Sequence, residues 1–308
     1  MAGPDAPDAA TLAWVARSVG GDEVVRLRRL TGGIATATHL LTLRSGRRVV
    51  LRRHAERWVK EDPEVVAGEV EVLGHLARLD LPAPRLLAAD ATGAETGGRP
   101  AMVLARLAGR IELAPPDPPA WLRQMAEALA WVHAAPAPPS VRSTGPSVPP
   151  PWMERPGPPS WSTRPALWER ALTIVWDEPA PPPPPGRDRP VLVHGDYQHY
   201  NLLWSRGRLT GIVDWSPPHG RPLDSDLGHC RLNLVLLYGT DAADRFLRAY
   251  EAVTGLTVDP WWDLLETVSF LPTWADTIRR QVGSRIPFDA DAMHRRVDAH
   301  LPTLLARC

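Results

Sequence analysis

The sequence predicts an α+β protein with a small β-rich N-terminal part and a larger helical C-terminal part. Short alternating segments bounded by turns dominate up to about residue 107, whereas apolar positions at helical spacing dominate beyond residue 226. The chain has 308 residues, 44% of them hydrophobic, which is enough to bury a substantial core. We therefore expect two modest domains, at residues 1–107 and 108–308.

The N-terminal part is predicted to contain two helices and five strands. A first helix is expected at residues 8–19, and a second begins at Asp62-Pro63, where Asp suits a cap and Pro suits the first turn, and ends near residue 79. The strands are expected at residues 24–30, 38–43, 48–53, 85–88 and 101–107. This pattern indicates a small sheet with one embedded helix.

The C-terminal part is predicted to be mainly helical around a short strand–loop–strand region. Helices are expected at residues 118–134, 226–238, 241–253, 260–282 and 290–306, and strands at 191–193, 201–204 and 209–213. Seventeen of the 35 prolines lie between residues 136 and 185. A long helix or central strand cannot form there, so residues 136–190 are interpreted as a surface insertion with a short helical piece near 167–175.

Composition excludes several classes of protein. The formal charge is zero, which argues against a nucleic-acid surface, and there is neither a polybasic block nor a long apolar run for a membrane. The two cysteines, Cys230 and Cys308, suit a reducing cytoplasm and form no zinc motif. Lys60 is the only lysine and does not follow a glycine-rich loop, so a P-loop NTPase is excluded.

The residues that carry chemistry lie between His194 and Trp215. The sequence His-Gly-Asp places Asp196 on a loop after an apolar segment; Asn201 follows five residues later and Asp214 thirteen residues after that. A hairpin would bring the two carboxylates and the carboxamide to one edge of a small sheet. Oxygen ligands of this kind suit Mg²⁺, and a carboxylate left free of the metal can accept a proton from a hydroxyl group.

His-Gly-Asp-x-x-x-x-Asn followed by Ile-Val-Asp-Trp resembles the aminoglycoside phosphotransferase family, small-molecule kinases with a bilobal protein-kinase-like fold. The resemblance implies that Asp196 is the catalytic base and that Asn201 and Asp214 bind Mg²⁺. It also implies that His194 and Asp226 support the catalytic loop, with Asp224 as the alternative to Asp226. The cofactors implied are ATP or GTP and Mg²⁺, and the partner is a small-molecule hydroxyl acceptor.

The N-terminal part fits the nucleotide-binding lobe of that family. Gly32 and Gly33 would lie in the loop that covers the nucleotide, although a plain hairpin turn is the alternative. The strand at 101–107, with Leu104 and Arg106, would hold the adenine through its backbone. Monomer and homodimer are both compatible with this interpretation.

One position departs from the family pattern. Arg52 stands where the phosphate-binding lysine of the third strand is expected, and its permanent charge and forked geometry still suit phosphate. Strand alternation would direct its neighbour Arg53 to the opposite face. Glu69 is the expected ion-pair partner of Arg52, with Glu71 as the competitor on another helix face.

The acceptor is not determined by the sequence. Residues 224–300 contain twelve acids and eight arginines, which favours a cationic acceptor, whereas the tryptophans at 261, 262 and 274 with Phe270 could line an apolar pocket. His199 is either a solvent-facing residue or an acceptor contact, and His219, His229 and Cys230 are expected to be structural. The candidate acceptor residues are His199, Trp262, Asp263, Glu266 and Trp274.

Two hypotheses of different classes follow. The first is an enzyme that moves the γ-phosphoryl group of ATP or GTP to a small-molecule hydroxyl, with antibiotic resistance as the family analogy. The second is a pseudokinase or nucleotide-binding scaffold, which Arg52 favours and the complete set of Asp196, Asn201 and Asp214 opposes. A eukaryotic-type protein kinase is a weaker third option, because Asp-Phe-Gly and Ala-Pro-Glu are lacking.

Overall fold

The structure, a computed structural model, describes residues 6–30, 36–55, 64–141, 154–182, 187, 189–218, 220–269 and 274–308. It divides into two compact units. The first comprises Met1–Gly109 with Thr210–Pro217, and the second comprises Arg110–Leu209 with Pro218–Cys308. The segment Thr210–Pro217 therefore groups with the N-terminal residues although it lies far along the chain.

The first unit contains one antiparallel sheet with strand order β1-β2-β3-β5-β4. Its elements are α1 (Ala9–Ser18), β1 (Val24–Arg29), β2 (Thr36–Leu43), β3 (Arg48–His54), α2 (Val65–Leu76), β4 (Leu86–Asp90) and β5 (Ala101–Ala105). Alternate residues of β2 are buried, as expected for a strand with one covered face. On that face, Trp14 and Val15 of α1 form a core with Leu41 and Leu51 of the sheet.

Helix α2 belongs to the same unit and carries a buried acid. Its buried face contains Glu69 as well as Val72 and Leu76. A Cβ atom at Gly68 would lie 2.6 Å from the Cβ atom of Pro217, so only glycine allows this close approach between α2 and the segment after β7. The approach keeps Glu69 near the chain that carries Asp214.

The second unit is mainly helical. Its elements are α3 (Pro118–His133), α4 (Pro165–Leu172), β6 (Leu202–Ser205), β7 (Arg208–Ile212), α5 (Asp224–Tyr238), α6 (Thr240–Thr254), α7 (Pro260–Val268), α8 (Trp274–Val282) and α9 (Ala290–Leu305). Strands β6 and β7 form a two-stranded sheet, and the division between the units falls within β7.

Helix α5 lies at the centre of the second unit. Twelve of its fifteen residues are buried, since it packs against α6, α7 and α9. At Gly228 a Cβ atom would lie 2.5 Å from the carbonyl oxygen of Trp262, so glycine is required for α5 to pack this closely on α7. A central helix without an exposed face is a rigid support for side chains at its first turns.

The proline-rich region is attached to α9 by a buried carboxylate. Asp298 accepts hydrogen bonds from the Ser162 hydroxyl, from the Thr163 backbone and hydroxyl, and from Trp168 Nε1. Trp161 stacks on His294 of the same helix, with ring centroids 4.5 Å apart. The described part of the region is therefore anchored at residues 161–168, and it contains the short helix α4 followed by a π-helical turn at Thr173–Asp177.

The α+β class is confirmed, and most predicted elements are present with ends within three residues of the prediction. Two predictions are wrong. Residues 191–193 form no strand, because only Val191 makes a β-bridge, to Pro136. The helix predicted at 260–282 is two helices: α7 ends at Val268, where Ser269 caps it, and α8 begins at Trp274. No helix in the described part of the chain is long and apolar enough to cross a membrane.

Candidate active site

The loop that carries Asp196 is held by the first turn of α5. The backbone N–H groups of His194 and Gly195 donate to the Asp226 carboxylate at 2.7 and 2.8 Å, and His133 lies 3.2 Å from the same group. Burial alone would raise the pKa of Asp226, but the hydrogen bond and charge of His133 outweigh it and lower the pKa. Asp226 is thus a buried anion that orients the loop.

Asp224, the alternative to Asp226, has other partners. Its carboxylate pairs with Arg187 at 2.8 Å and accepts from the backbone N–H of Asp259. It therefore contacts the start of α7 instead of the Asp196 loop. Within the loop, His194 Nδ1 accepts from the backbone N–H of Asp196 at 3.2 Å, and its ring is fully buried. This is the supporting geometry predicted for His194.

Asp196 presents a carboxylate whose two oxygens have different partners. Oδ1 accepts from Gln198 Nε2 at 2.5 Å and from His229 Nε2 at 2.8 Å, while Oδ2 accepts from Asn201 Nδ2 at 2.8 Å. Burial would raise the pKa of Asp196, but the hydrogen bond and charge of His229 lower it below its ordinary value. The side chain is 35% exposed, so a reactant can reach it.

Asn201 is oriented by the same residue. Its Nδ2 also donates to the main-chain oxygen of Asp196 at 2.8 Å, and its carbonyl oxygen takes part in neither bond. An amide held in this way can offer that oxygen to a hard cation such as Mg²⁺. Asp196 and Asn201, predicted together from their spacing, are thus direct neighbours.

His229 was not predicted to take part in the site. It lies on α5, and its two ring nitrogens contact two carboxylates: Nε2 contacts Asp196, and Nδ1 contacts Glu266 of α7 at 3.0 Å. Burial would lower the pKa of His229, but the bonds to both acids raise it to about 10. His229 is 33 positions from Asp196 and 37 positions from Glu266, so no sequence periodicity links it to either residue. The one available signal was a titratable side chain shortly after Asp226.

The first unit contains a second charged cluster, centred on Arg52. Its guanidinium group lies 3.1 Å from Glu69 Oε2 and 2.7 Å from Asp214 Oδ1. Glu71, the competitor, is exposed, and Arg53 lies on the opposite face, where it donates to the backbone oxygen of Ala6. The predicted pairing of Arg52 with Glu69 is therefore present in the structure.

Asp214 lies two residues beyond β7 in a left-handed conformation, with φ of 65°. Asp adopts this region more readily than most residues other than glycine. Its side chain is 45% exposed, whereas that of Glu69 is 9% exposed. Burial and the Asp214 charge raise the pKa of Glu69 to about 7, although Arg52 opposes them.

The remaining cofactor-binding candidates lie in or near β5. Leu104 is buried and pairs with Val50 of β3 and Leu86 of β4, and Arg106 follows the strand and is exposed. Gly32 and Gly33 lie outside the described residues, so their predicted role in covering the nucleotide stays a prediction.

The acceptor candidates are mostly buried. His199 has no exposed surface, so the solvent-facing interpretation is wrong; it packs among the rings of Trp121, Tyr200 and Tyr238. Burial and the nearby charge of His229 lower the pKa of His199 to about 3, so it is neutral near pH 7.

Asp263 and the tryptophan candidates complete this set. Asp263 is buried and pairs with Arg231 at 2.8 Å and with Arg307 at 2.9 Å. Trp262 is buried and Trp274 half-buried, while Phe270 lies outside the described residues. Glu266 is the candidate that contacts His229, and His229 in turn contacts Asp196.

The oxygen ligands suit magnesium better than zinc. Across the described residues, no three or more His, Cys, Asp or Glu side chains are grouped so that they could hold a metal ion. Mg²⁺ needs no such group, because it commonly binds one or two protein oxygens together with phosphate oxygens and water. The Asn201 carbonyl oxygen and the Asp214 carboxylate are of the required kind.

Comparison with known structures identifies the class of fold. An apo aminoglycoside phosphotransferase APH(4)-Ia, a thermostable mutant, matches with a TM-score of 0.60 and 18% identity over 95% of this chain and 98% of that one. Macrolide 2'-phosphotransferase MphH from Brachybacterium faecium matches with a TM-score of 0.56 and 20% identity over 95% and 96%. A ternary complex of APH(4)-Ia with ADP and hygromycin B gives 0.56 and 17% over 96% and 99%. No curated protein matches the sequence.

The protein thus has the kinase-like fold of these phosphotransferases, as predicted. The profile of the phosphotransferase enzyme family (APH) matches residues 26–265. The chain belongs to this family, and it is a small-molecule kinase. The family assignment confirms the resemblance drawn from the His-Gly-Asp and Ile-Val-Asp-Trp motifs.

Proposed function

We propose that the protein transfers the γ-phosphoryl group of ATP or GTP to a hydroxyl group of a small molecule, with Mg²⁺ as the metal. The observation that carries the proposal is the Asp196 carboxylate, which is accessible and is held by Gln198, Asn201 and His229. One lone pair of Oδ2 is used by no residue that the structure describes. Structural neighbours with ADP or AMP-PNP bound support the nucleotide.

In this reaction Asp196 orients the acceptor hydroxyl and accepts its proton. The acceptor oxygen forms a bond to the γ-phosphorus, the bond from that phosphorus to the β–γ bridging oxygen breaks, and the nucleoside diphosphate leaves. Asn201 and Asp214 would hold Mg²⁺, which would supply positive charge to neutralise the phosphate oxygens. Arg52 supplies a permanent positive charge for the phosphates, in place of the lysine usual in kinases.

The acceptor belongs to the hydroxylated small molecules, and antibiotics are the first class to test. One neighbour is a complex with hygromycin B and another is a macrolide phosphotransferase. We further propose that the enzyme acts in the cytoplasm, as a monomer or homodimer. Resistance to such an antibiotic would be its biological role if an antibiotic proves to be the acceptor.

The test is acceptor-stimulated release of ADP or GDP with a panel of aminoglycosides, basic peptide antibiotics, macrolides and small metabolites. Loss of a general base costs about 10²–10⁴-fold, so Asp196→Ala should lose at least 100-fold in kcat. Its Kd for ADP should be unchanged, because the substitution removes no nucleotide contact. Asp241→Ala is the matched control, since Asp241 is exposed on α6 and its ion pair in the described part of the chain is with Arg245.

Wild-type turnover in Asp196→Ala would contradict the assignment of the base. A second candidate function is a nucleotide-binding protein without transfer activity, which the Arg52–Asp214 contact favours because it occupies an oxygen of a proposed Mg²⁺ ligand. It predicts ADP binding with no stimulated release for any acceptor. Mg²⁺-dependent turnover with a single acceptor would rule it out.

A further inference from the structure

The bridge formed by His229 requires a charged ring. Neutral imidazole carries one N–H group, whereas His229 contacts a carboxylate oxygen through each nitrogen, at 2.8 Å to Asp196 and 3.0 Å to Glu266. When both carboxyl groups are ionised, both contacts are hydrogen bonds only if both ring nitrogens are protonated. The raised pKa of about 10 agrees with this requirement.

The groups packed around His229 favour the same state. Asp196 approaches from the loop and Glu266 from α7, so two negative charges face one ring that is 17% exposed. On α5 itself, Asn233 Nδ2 lies 3.2 Å from His229 Nε2 and donates to the His229 backbone oxygen at 3.0 Å. Asn233 Nδ2 is a donor that is already used by this backbone oxygen, so its approach to a protonated Nε2 is a contact between two donors and not a hydrogen bond.

This contact distinguishes the two oxygens of Asp196. Oδ1 accepts two hydrogen bonds, from Gln198 and from His229, which use both of its lone pairs. Oδ2 accepts one bond, from Asn201, and keeps one lone pair. Among the described residues, the carboxylate therefore has one position left for the acceptor hydroxyl, on Oδ2.

We propose that His229 is a positioning residue, which holds Asp196 by Oδ1 so that Oδ2 faces the acceptor hydroxyl, and that Glu266 keeps the His229 ring charged and oriented. The inference rests on the proposed function, in which Asp196 is the base. It assigns Glu266 a role different from the acceptor contact predicted from the sequence. Glu266 is committed to an internal cation and is not free to bind a cationic acceptor.

Two amide substitutions separate the two contacts of the ring. The amide nitrogen of Gln reaches about the place of Nε2, and that of Asn reaches about the place of Nδ1. His229→Gln should keep a donor for Asp196, whereas His229→Asn should keep one only for Glu266. Since a misplacement of about 1 Å can cost about 10²-fold, we expect His229→Asn to lose about 10–100-fold in kcat.

His229→Gln should lose clearly less kcat, at most about fivefold, because it misplaces Asp196 less. In both variants the KM for nucleotide and the Kd for ADP should stay at the wild-type value, because His229 belongs to the acceptor side of the reaction. A purely structural role would lower the Tm and kcat of both variants together. Equal losses in the two variants, or wild-type kcat in His229→Asn, would overturn the proposal.

Glu266→Gln tests the other contact. As a support for His229, its loss should lower kcat and leave the acceptor KM unchanged. As a ligand of a cationic acceptor, its loss should raise the acceptor KM and leave kcat unchanged. The second pattern would contradict the assignment made here.

A measurement without turnover separates failure of this inference from failure of the proposed function. In ¹⁵N-labelled wild-type protein at pH 8, both ring nitrogens of His229 should show the chemical shifts of an imidazolium, and Glu266→Gln should remove that state. A neutral ring at pH 8 in wild type would overturn the inference even if the enzyme is active. Silence with every acceptor beside a charged ring would instead count against the proposed function alone.

Discussion

Each of the two units contains a charged cluster in which one cation lies between two acids. In the Arg52 cluster, Arg52 bridges buried Glu69 and half-exposed Asp214; in the His229 cluster, His229 bridges Glu266 and Asp196. In each, the cation ties a mostly buried acid to the more exposed acid that the proposed reaction uses. The difference is that a guanidinium stays charged at every working pH, whereas an imidazolium can lose its proton.

The largest expected effect follows from that difference. Because the folded-state pKa of His229 is raised from 6.5 to about 10, its stabilisation is fully present below pH 6.5 and is lost as pH rises through 10. At about 1.4 kcal/mol per pKa unit, the whole change is at most about 5 kcal/mol. The free energy of unfolding of wild type minus that of His229→Gln should therefore fall between pH 7 and pH 10, measured by urea denaturation.

The same subtraction with Arg52→Ala is the comparison. Between pH 8 and pH 10 the difference between wild type and Arg52→Ala should not fall, because Arg52 stays charged: Asp214 and Glu69 raise its pKa even though burial opposes this. Removal of Arg52 also raises the pKa of Glu69 further, which can only increase the difference as pH rises. A flat curve for His229→Gln over the same interval would show that the ring is not charged in the folded state. The two clusters would then differ in more than the type of cation.

Only the Arg52 cluster could be predicted from the sequence. Arg52, Glu69 and Asp214 could be placed because strand alternation, helix face and a family motif each restrict one of them. The contact of His229 with Asp196 and Glu266 could not, because three elements bring these residues together and no periodicity relates them. The apolar run Val191–Val193 was likewise assigned to a strand, although burial in a loop explains the same composition.

Breaking the Arg52 cluster should be the next largest effect. Arg52→Ala leaves Glu69 buried without its cation, and removal of one partner of a buried ion pair costs about 3–5 kcal/mol. Arg48→Ala is the matched control, because Arg48 begins the same strand and is exposed. Its free energy of unfolding should change by less than about 0.5 kcal/mol. A loss in Arg52→Ala no greater than in Arg48→Ala would mean that the cluster does not stabilise the folded unit.

Arg52→Lys sharpens this experiment. It restores the residue type of the kinase pattern but replaces a fork that reaches both acids with one point charge. We expect a smaller loss of stability than in Arg52→Ala, with ADP binding retained. Loss of ADP binding in Arg52→Lys would show that the site has adapted to the guanidinium shape.

The smallest of these effects is the pH dependence of stability that Glu69 causes. Burial raises the pKa of Glu69, whereas the acidic partners of His229 raise the pKa of that ring. Its folded-state pKa is raised from 4.5 to about 7, chiefly by burial, so its stabilisation is fully present below pH 4.5 and is lost as pH rises through 7. The change is about 3 kcal/mol for the whole shift, and about 2 kcal/mol of it should fall between pH 5 and pH 8. The free energy of unfolding of wild type minus that of Glu69→Gln should decrease over this interval.

Glu71→Gln, on the exposed side of the same helix, should give a difference that does not vary with pH. If the Glu69→Gln difference increases with pH instead, the pull of Arg52 exceeds the effect of burial.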